Sequence, residues 1–542
     1  MSESREIELK LTGDTKTLQA ALRSSALNPW VVRIDRAKTL DNRYFDTADL
    51  RLAQNGVALR VRKLSARRYV QTLKAAAIDD GPFVRGEWEL PIPGPALELD
   101  RFIDAEARAR IGLVKPDELA ERFKTVFKRK TMQLADPDGA GMVELALDIG
   151  AITAEDGDGR IREEAIAEIE LELKSGSPHV LFDLADKLAT QTGLSIAIGN
   201  KAERGHRLAT GQPPEPQKAA RSPITTDMTV EQALEHFGRH GYSQWLANQP
   251  VVEEGSDPEG AHQMRVALRR LRSALTLFRR VIPPIQLERL KSDMAWLASA
   301  LGIARDWDVF VHEIIGPAAG AILDQDAVAA LIAQSNAHRL AGYDTARAAL
   351  RDPRYTRLVL AMGDWIEGQR WREQPYSPEA ATLEQPVLEF ANRSLSRRYR
   401  QVRRLGRGFQ SLNTESRHAV RIALKKLRYA ADFFRPLYPK KQSAVFIRHL
   451  QILQSDLGYL NDVATANRIV TELTTSPGLT DGVTLATTAG QVIGWHQHGL
   501  AAAEPKVCKD WAAFVSAKPF WTSVKPRRNR QSASTPSSHH AK

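Results

Sequence analysis

Two short segments of the chain carry acidic side chains at every second position. EIELK begins at Glu6, and EIELELK begins at Glu168. Alternate residues of a β-strand share one face, so each segment would place its charges on one side and apolar side chains on the other. Carboxylates in this number repel one another, and they repel a bound anion, unless a hard divalent cation such as Mg²⁺ or Mn²⁺ lies between them. The two segments therefore predict a metal site if the fold brings them together.

Four more predicted strands place charged side chains on one face by the same alternation. They carry Arg60 and Arg62, Thr72 and Lys74, Arg85 with Glu87 and Glu89, and Glu144 with Asp148. Arginine binds phosphate oxygens through two parallel hydrogen bonds, and a divalent cation is commonly shared between carboxylates and substrate phosphates. Acidic and basic faces in one domain thus indicate metal-dependent phosphoryl transfer. A P-loop is excluded, because no G-x-x-x-x-G-K-[ST] stretch occurs in the chain.

A meandering sheet with one solvated face explains any single strand of this kind. Solvated faces usually mix Thr, Ser and Gln with their charges, whereas these faces are almost purely charged and their opposite faces are Ile, Leu and Val. The alternative is a closed antiparallel barrel with a charged, wet lumen, whose apolar outer face is covered by helices. Helices are predicted at Asp104–Ile111 and Pro178–Thr192.

Bulk composition indicates a multidomain protein that binds polyanions. The chain has 542 residues, one cysteine (Cys508) and a net charge of +11. Residues 1–210 carry a net charge of −2, so the basic excess lies entirely in the remainder, which suits nucleic acid, an anionic membrane surface or polyphosphate. No apolar run reaches the ~18 residues that span a bilayer, and the charged N-terminus does not resemble a signal peptide. The expected location is the cytoplasm, without a membrane partner.

Composition also predicts the domain boundaries. Strand-like segments dominate residues 1–209, and a Pro-rich linker follows at 210–225. Ala/Leu/Arg-rich segments of helical period fill residues 226–515, and a low-complexity, disordered tail is expected at 516–542. The predicted fold class is α+β: a closed antiparallel barrel followed by an all-α domain.

An internal duplication organises the helical part. HQMRVALRRLR begins at His262 and HAVRIALKKLR begins at His418, a shift of 156 residues, and a Leu-Gly pair follows each His at the same distance. This agreement predicts an internal duplication with two pseudo-symmetric halves.

Each repeat would carry a basic stripe on one helical face, because positions 0, +3, +7 and +10 fall within an arc of about 80°. The first stripe is His262, Arg265, Arg269 and Arg272, flanked by Arg270; the second is His418, Arg421, Lys425 and Arg428, flanked by Lys426. A solvated helix face usually intersperses glutamates for pairing, and neither stripe has one. Nucleic acid is disfavoured because base-stacking aromatics are not interleaved with the stripes. A shared groove for a linear phosphate polymer is the favoured interpretation.

The N-terminal part resembles the CYTH family, the triphosphate tunnel metalloenzymes. The matching stretches are E-x-E-x-K from Glu6 to Lys10, YFDTADLRLAQNGVALRVR from Tyr44 to Arg62, TLK ending at Lys74, RGEWE from Arg85, ALDIG around Asp148, EIELELKSG and IGNKAERGHRL. The resemblance implies an eight-stranded tunnel that binds a triphosphate with Mg²⁺ or Mn²⁺. It implies metal ligands at Glu6, Glu8, Asp148, Glu170 and Glu172, and phosphate-binding residues at Arg60, Arg62, Lys74, Arg85, Arg129 and Lys201. Lys10, with Glu6 and Glu8, would be catalytic.

The helical part resembles the CHAD family, which is associated with inorganic polyphosphate. This resemblance implies an all-α domain of two pseudo-symmetric four-helix units. Together the two resemblances imply an inorganic triphosphatase that converts tripolyphosphate to pyrophosphate and phosphate. The helical domain would bind polyphosphate or localise the enzyme to polyphosphate granules. Two alternatives stay open: a non-catalytic polyphosphate-binding protein, and an enzyme for an organic triphosphate, such as a thiamine triphosphatase, a nucleotide triphosphatase or an adenylate cyclase.

Overall fold

The fold was analysed in a computed structural model of the chain. The structure describes residues 5–65, 67–76, 81–219, 224–255, 257–282, 284–373, 380–474 and 482–522. Its contacts divide the chain into two compact units. The first combines residues 1–222, 234–380 and 462–498, and the second combines residues 223–233, 381–461 and 499–542.

Ten strands lie in the N-terminal part of the first unit. They are β1 Arg5–Thr12, β2 Val31–Ile34, β3 Lys38–Asp46, β4 Val57–Ser65, β5 Arg68–Ala76, β6 Val84–Ile92, β7 Ala120–Ala135, β8 Gly141–Glu155, β9 Ile161–Gly176 and β10 Ser195–Ile196. Eight of them close a ring in the order β1-β6-β5-β4-β3-β7-β8-β9, and β9 pairs back with β1. All these pairs are antiparallel, so the predicted closed barrel is confirmed.

Five helices accompany the barrel: α1 Thr15–Ala21, α2 Arg51–Gln54, α3 Ala105–Ile111, α4 Pro178–Thr192 and α5 Lys201–Thr210. The two predicted helices are α3 and α4. Helix α4 begins after Ser177, whose hydroxyl accepts from a backbone amide, and it ends at Gly193 with φ 74°, a conformation that glycine adopts without strain. Its buried leucines cover the apolar outer face of the sheet, where Leu9, Leu11 and Leu171 are fully buried. Hydrophobic packing on the outside therefore leaves the charged face to the lumen.

The second half of the chain is helical, as predicted. Its helices are α6 Val230–Ala247, α7 Gln249–Glu254, α8 Pro258–Leu277, α9 Pro284–Val309, α10 Gly316–Ala319, α11 Gln325–Arg351, α12 Pro353–Glu367, α13 Val387–Leu405, α14 Thr414–Phe434, α15 Lys440–Thr474 and α16 Gly482–Ser516. A π-helical turn at Phe310–Ile315 links α9 to α10. Among the helices that the structure describes, none combines the length and the apolarity needed to cross a bilayer.

The helix boundaries repeat with the sequence. Helices α6, α8, α9 and α11 begin 156 or 157 residues before α13, α14, α15 and α16, respectively. The duplication seen in the sequence thus extends to four helices per repeat. The first repeat also contains α7 and α12, which have no counterpart among the described helices of the second.

Within the first unit, α12 packs on the barrel through α4 and β10. The backbone N–H of Ile196 donates to the Thr356 hydroxyl at 3.1 Å, and Nδ1 of His179 lies 2.9 Å from the Asp364 carboxylate. Gly363 is needed at this contact, because a Cβ there would lie 2.3 Å from the Phe182 ring. Helix α12 is therefore packed closely against α4 and the barrel.

Within the segment predicted as a tail, the described residues Phe520–Thr522 form a short 3-10 helix. Phe520 and Trp521 are buried, and both rings pack against Phe446 of the second unit. The remainder of the predicted tail, 523–542, lies outside the described residues. The predicted limits of the barrel domain, linker and helical domain stay predictions.

Candidate active site

The barrel encloses a cavity of about 1030 Å³. Its lining includes nearly every barrel residue to which the sequence predicted a role: Glu6, Glu8, Lys10, Arg60, Arg62, Lys74, Arg85, Arg129, Glu170, Glu172 and Lys201. Asp148 is the exception, because it is fully buried behind this surface. The strand alternation seen in the sequence therefore assigned the inward face correctly on each of these strands.

A row of carboxylates crosses three neighbouring strands of the cavity wall. Glu8 on β1 lies opposite Glu172 on β9, and Glu172 lies opposite Glu144 on β8. We call Glu8, Glu172 and Glu144 the acidic row. Like charges directly opposite one another destabilise a sheet. The neighbours partly compensate: Lys10 lies 2.5 Å from Glu8, Lys174 pairs with Glu172, and Gln133 donates to Glu144 at 2.6 Å.

A second group of carboxylates lies deeper in the barrel wall. Oxygens of Asp148, Glu168 and Glu170 lie within 4.8 Å of one another, close enough to share a metal ion. We call these three residues the buried acidic cluster. The ammonium of Lys201 already contacts all three, at 2.8 Å, 2.5 Å and 2.8 Å, and Arg129 binds Asp148 through two hydrogen bonds of 2.7 and 2.6 Å. This cluster is therefore a closed network of ion pairs.

Helix α5 places Lys201 in that network. The Asn200 side chain caps the helix by accepting from the Glu203 backbone amide, and the Glu203 carboxylate accepts from the Asn200 backbone amide. Lys201 therefore stands at the first helical position. Gly205 lets the helix lie close to the barrel, since a Cβ there would be 2.2 Å from the Phe123 ring. Arg204 of the same helix also binds Glu168 at 3.2 Å. The IGNKAERGHRL motif includes Lys201, but the contact of Lys201 with the carboxylates of the barrel wall depends on the close packing of α5 at Gly205.

Cations line the opposite wall, on β4, β5 and β6. Lys74 contacts Glu87 at 2.9 Å and Glu6 at 3.1 Å, and Arg60 contacts Glu87 at 3.2 Å. Arg62 differs, because its hydrogen-bond partner is a neutral group: its Nε donates to the Asn42 amide oxygen at 2.7 Å. Glu87 thus partly neutralises this wall, while Arg62 has no carboxylate of its own in the bonds that the structure describes.

Burial perturbs the acids at the junction of the two walls. Burial raises the pKa of Glu6, and although Lys74 lowers it, the neighbouring Glu87 brings the pKa to about 8. Burial also raises the pKa of Glu87, but Lys74 and Arg60 outweigh it and lower the pKa to about 2. At neutral pH, Glu6 therefore holds a proton and Glu87 is ionised.

Arg62 on the basic wall is a buried cation whose charged form is disfavoured by its surroundings. Burial, together with the nearby charges of Arg60 and Arg129, lowers the pKa of Arg62 to about 10. Arg129 is different, because Glu170 and Asp148 outweigh its burial and raise its pKa well above the usual value. A buried guanidinium that is repelled by other cations is a site for an anion.

The first basic stripe lies on α8, in the first unit, and its members are half-buried. Arg265 donates to the backbone carbonyl of Ala298 at 2.9 Å. Burial lowers the pKa of Arg265, Arg269 and Arg305 lower it further, and Asp306 only partly opposes them. Burial and Arg305 likewise lower the pKa of His262. The first stripe is therefore a concentration of like charge.

The second basic stripe lies on α14, in the second unit. Arg421 donates to Asn461 at 2.8 Å and Arg428 donates to Gln454 at 2.8 Å, while His418 and Lys426 are exposed. Whether the two stripes frame one groove stays a prediction.

Sequence reasoning left three contributing residues without a role. Glu144 was expected to face the lumen, but its place in the acidic row depends on the register of β8 and β9. Arg204 stands inside the IGNKAERGHRL match, whereas Arg305 lies on α9, outside both basic stripes, and adds a positive charge beside His262.

Comparison with protein families agrees with both resemblances. The family model of the CYTH domain matches residues 4–206, and that of the CHAD domain matches residues 237–471. The chain joins a CYTH domain to a CHAD domain. The inorganic triphosphatase of Haemophilus influenzae is 31% identical over 179 residues, which are 32% of this chain and 47% of that protein. The CYTH–CHAD chain thus matches about half the length of this curated relative.

Solved structures resemble each domain separately. The CHAD domain from the plant Ricinus communis is 29% identical, with a TM-score of 0.49, and covers 56% of this chain and 98% of its own. A putative adenylyl cyclase from Hippeastrum, described with a dominant triphosphatase activity, is 20% identical, with a TM-score of 0.25, and covers 38% of this chain and 94% of its own.

Proposed function

We propose that the CYTH barrel hydrolyses inorganic tripolyphosphate to pyrophosphate and phosphate with Mg²⁺ or Mn²⁺, and that the CHAD domain binds inorganic polyphosphate. One observation carries the first part: a single cavity contains both a row of directly opposed carboxylates and a buried guanidinium, Arg62, that has no carboxylate partner among the described bonds. A divalent cation would neutralise the opposed carboxylates, and a phosphate chain would supply an anion to the guanidinium.

The residues fit a hard divalent cation. Glu8 and Glu172 are opposed across β1 and β9, Glu6 and Glu170 line the same cavity, and carboxylate oxygens are the ligands that Mg²⁺ and Mn²⁺ prefer. When bound, the cation would neutralise phosphate charge and make a water molecule more acidic. Asp148 is proposed to act differently from the other predicted ligands. Its oxygens hold Arg129 and Lys201, so it would position those two cations for the substrate.

The basic wall would hold and orient the phosphate chain. Arg60, Arg62 and Lys74 lie on adjacent strands that face the acidic row, and Arg129 approaches from β7. Their fixed charges would stabilise the negative charge that develops on the phosphate oxygens during in-line attack. Lys10, which contacts Glu8 and Glu170, would keep those carboxylates oriented and stand beside the reacting phosphate.

The first basic stripe supports polyphosphate binding by the CHAD domain. His262, Arg265 and Arg269 lie together with Arg305. Burial and the charges of Arg305 and Arg269 lower the pKa values of His262 and Arg265, and a polyanion would relieve that repulsion. Linear polyphosphate supplies that charge without requiring contacts to bases. The same property is proposed for Arg270, Arg272 and the second stripe, in which His418 and Lys426 are exposed.

Phosphate release from tripolyphosphate, ATP and thiamine triphosphate, each with Mg²⁺ or Mn²⁺, tests the proposal. The organic substrates belong in the assay because the cavity of about 1030 Å³ has room beyond a triphosphate. We expect tripolyphosphate to be preferred, and Glu172→Gln to reduce its hydrolysis by about 10²-fold or more, since one charge of the acidic row is lost.

Glu163→Gln is the matched control, because Glu163 lies on the same strand with an exposed side chain. Equal activity of both variants would refute the metal assignment. Preference for ATP or thiamine triphosphate would refute the substrate, and polyphosphate binding without any hydrolysis would favour the non-catalytic alternative.

A further inference from the structure

Along one edge, strand β1 pairs first with β6 and then with β10, and the change occurs beside the candidate metal site. Strand β1 pairs with β6 only over Arg5–Ile7 and with β10 only over Leu11–Thr12. Between these ladders, the Glu8 amide donates to the Phe83 carbonyl at 3.0 Å, and the Lys10 carbonyl accepts from Ala197 at 2.8 Å. We call this interval the β1 switch point. Two catalytic candidates, Glu8 and Lys10, therefore lie where neither β6 nor β10 continues along this edge of β1, while β9 pairs with both on the other edge.

A small cavity of about 40 Å³ lies at the switch point. The barrel lines it with Glu8, Lys10, the Pro82–Phe83 segment, Arg85 and residues 197–199. Leu246 completes the lining, and it comes from α6 of the CHAD domain. This leucine is 1% exposed, and the cavity has room for about one water molecule. An apolar side chain of the helical domain thus limits the space beside Glu8.

Helix α6 also supports the segment that binds Glu8. The Phe83 ring packs edge-to-face on Tyr242 of α6 at 5.9 Å and on Phe182 of α4 at 6.2 Å. The Tyr242 hydroxyl in turn donates to the carbonyl of Val359 on α12 at 2.6 Å. Because the Phe83 backbone carbonyl accepts a hydrogen bond from the Glu8 backbone amide, the position of the Glu8 backbone depends on this packing.

The same helix lines the main cavity. Ser243, Leu246 and Ala247 appear among its walls, together with residues 212–215 and Gln217 of the segment that follows α5. That segment is fastened to the end of α6, since the Gln217 amide donates to Asn248 at 3.0 Å and Asn248 donates back to the Gln217 carbonyl at 2.8 Å. The tunnel wall is therefore built partly from the helical domain.

We propose that Leu246 of the CHAD domain is a positioning residue of the CYTH metal site: it seals the β1 switch point and, with Tyr242, holds the Pro82–Phe83 segment that orients Glu8. The CHAD domain then has a second role beside polyphosphate binding, as a structural part of the catalytic tunnel. This inference rests on the proposed metal site.

The test is Mn²⁺ affinity measured by electron paramagnetic resonance on the full-length protein, without substrate. Leu246→Ala should raise the Mn²⁺ dissociation constant about tenfold, the lower end of the effect of outer-shell partners on metal sites, because Glu8 loses its support and the site admits water. Leu246→Val should give an intermediate value, and Leu246→Met should stay close to wild type. Should Leu246→Ala not fold, the valine and methionine variants alone decide the order.

Leu331→Ala is the control, because Leu331 is fully buried in α11 and absent from both cavities. It should lower the unfolding temperature as much as Leu246→Ala while leaving Mn²⁺ affinity within twofold of wild type. Equal Mn²⁺ affinity of the two alanine variants would overturn the inference and leave the proposed function standing. A wild-type protein that binds no Mn²⁺ would overturn both, whereas binding with the predicted order but no tripolyphosphate hydrolysis would support the inference and refute the proposed reaction.

Discussion

The barrel contains two groups of three carboxylates that differ in what neutralises them. In the buried acidic cluster, Lys201 contacts all three members and Arg129 adds a bidentate pair to Asp148. In the acidic row, each member has one partner, and Glu144 has only a neutral amide among the bonds that the structure describes. Proximity of carboxylates alone would select the buried cluster as the metal site. The balance of charge selects the row, which is also open to the cavity.

The arginines of the lumen show the same contrast. Arg129 belongs to the closed network, while Arg62 faces other cations and a neutral amide. Groups that the protein already satisfies maintain the fold in addition to any contact with a ligand, and groups that it leaves unsatisfied serve the ligand alone. This distinction gives opposite expectations for variants only a few ångströms apart.

The largest effect is expected when the closed network is broken. Lys201→Ala would leave three buried carboxylates without their shared cation, so the free energy of unfolding should fall by about 3–5 kcal/mol. Lys174→Ala removes a half-exposed partner of Glu172 and should cost less than about 1 kcal/mol. Denaturant titration of both variants measures the difference. Equal losses would show that the buried cluster is no more dependent on its cation than a surface pair.

Substitution of Arg129 and of Arg62 should change the free energy of unfolding in opposite directions. Arg129→Met should destabilise the fold by about 3 kcal/mol or more, because Asp148 and Glu170 lose a buried partner. Arg62→Met should leave stability unchanged or raise it by about 1 kcal/mol, since burial and like charges already disfavour this guanidinium. Arg62→Met should nevertheless weaken tripolyphosphate binding, measured by calorimetry. Clear destabilisation by Arg62→Met would contradict the assignment of Arg62 as an unsatisfied cation.

The smallest effect concerns pH and the CHAD domain. Burial, Arg305 and Arg269 hold the pKa of His262 below its usual value, against the opposing charges of Glu259 and Glu313. A bound polyanion would raise that pKa, so binding takes up a proton. Polyphosphate affinity should therefore rise a few-fold as the pH falls from the bound pKa to the free pKa, and then level off. Affinity measured from pH 8 to 5 should lose this component in His262→Gln, and an unchanged profile in that variant would exclude His262 from the contact.

The sequence predicted the faces of the strands better than their partners. Alternation places Glu6, Glu8 and Glu172 inward because the period of a strand is two, and closure of the barrel follows from six charged faces with apolar backs. The register that sets Glu144 beside Glu172 is a tertiary property. Lys201 reaches Asp148 only because Gly205 lets α5 approach the sheet.

The docking of α6 could not be predicted for a related reason. Tyr242 and Leu246 show the apolar spacing of a helix face that packs on something, and that spacing is the same whether the partner is another helix or the barrel. Composition likewise indicated a linker near 210–225, although Gln217 is hydrogen-bonded to the helical domain. Both features arise from contacts between segments that are distant in sequence.

The most direct test of the central claim is a crystal structure of the full-length protein soaked with Mn²⁺ and tripolyphosphate, with the metal located by anomalous scattering. We expect a peak about 2.0–2.2 Å from carboxylate oxygens of Glu8 and Glu172, with phosphate oxygens facing Arg60 and Arg62. A peak among Asp148, Glu168 and Glu170, with Lys201 displaced, would show that the metal binds in the buried acidic cluster and not in the acidic row.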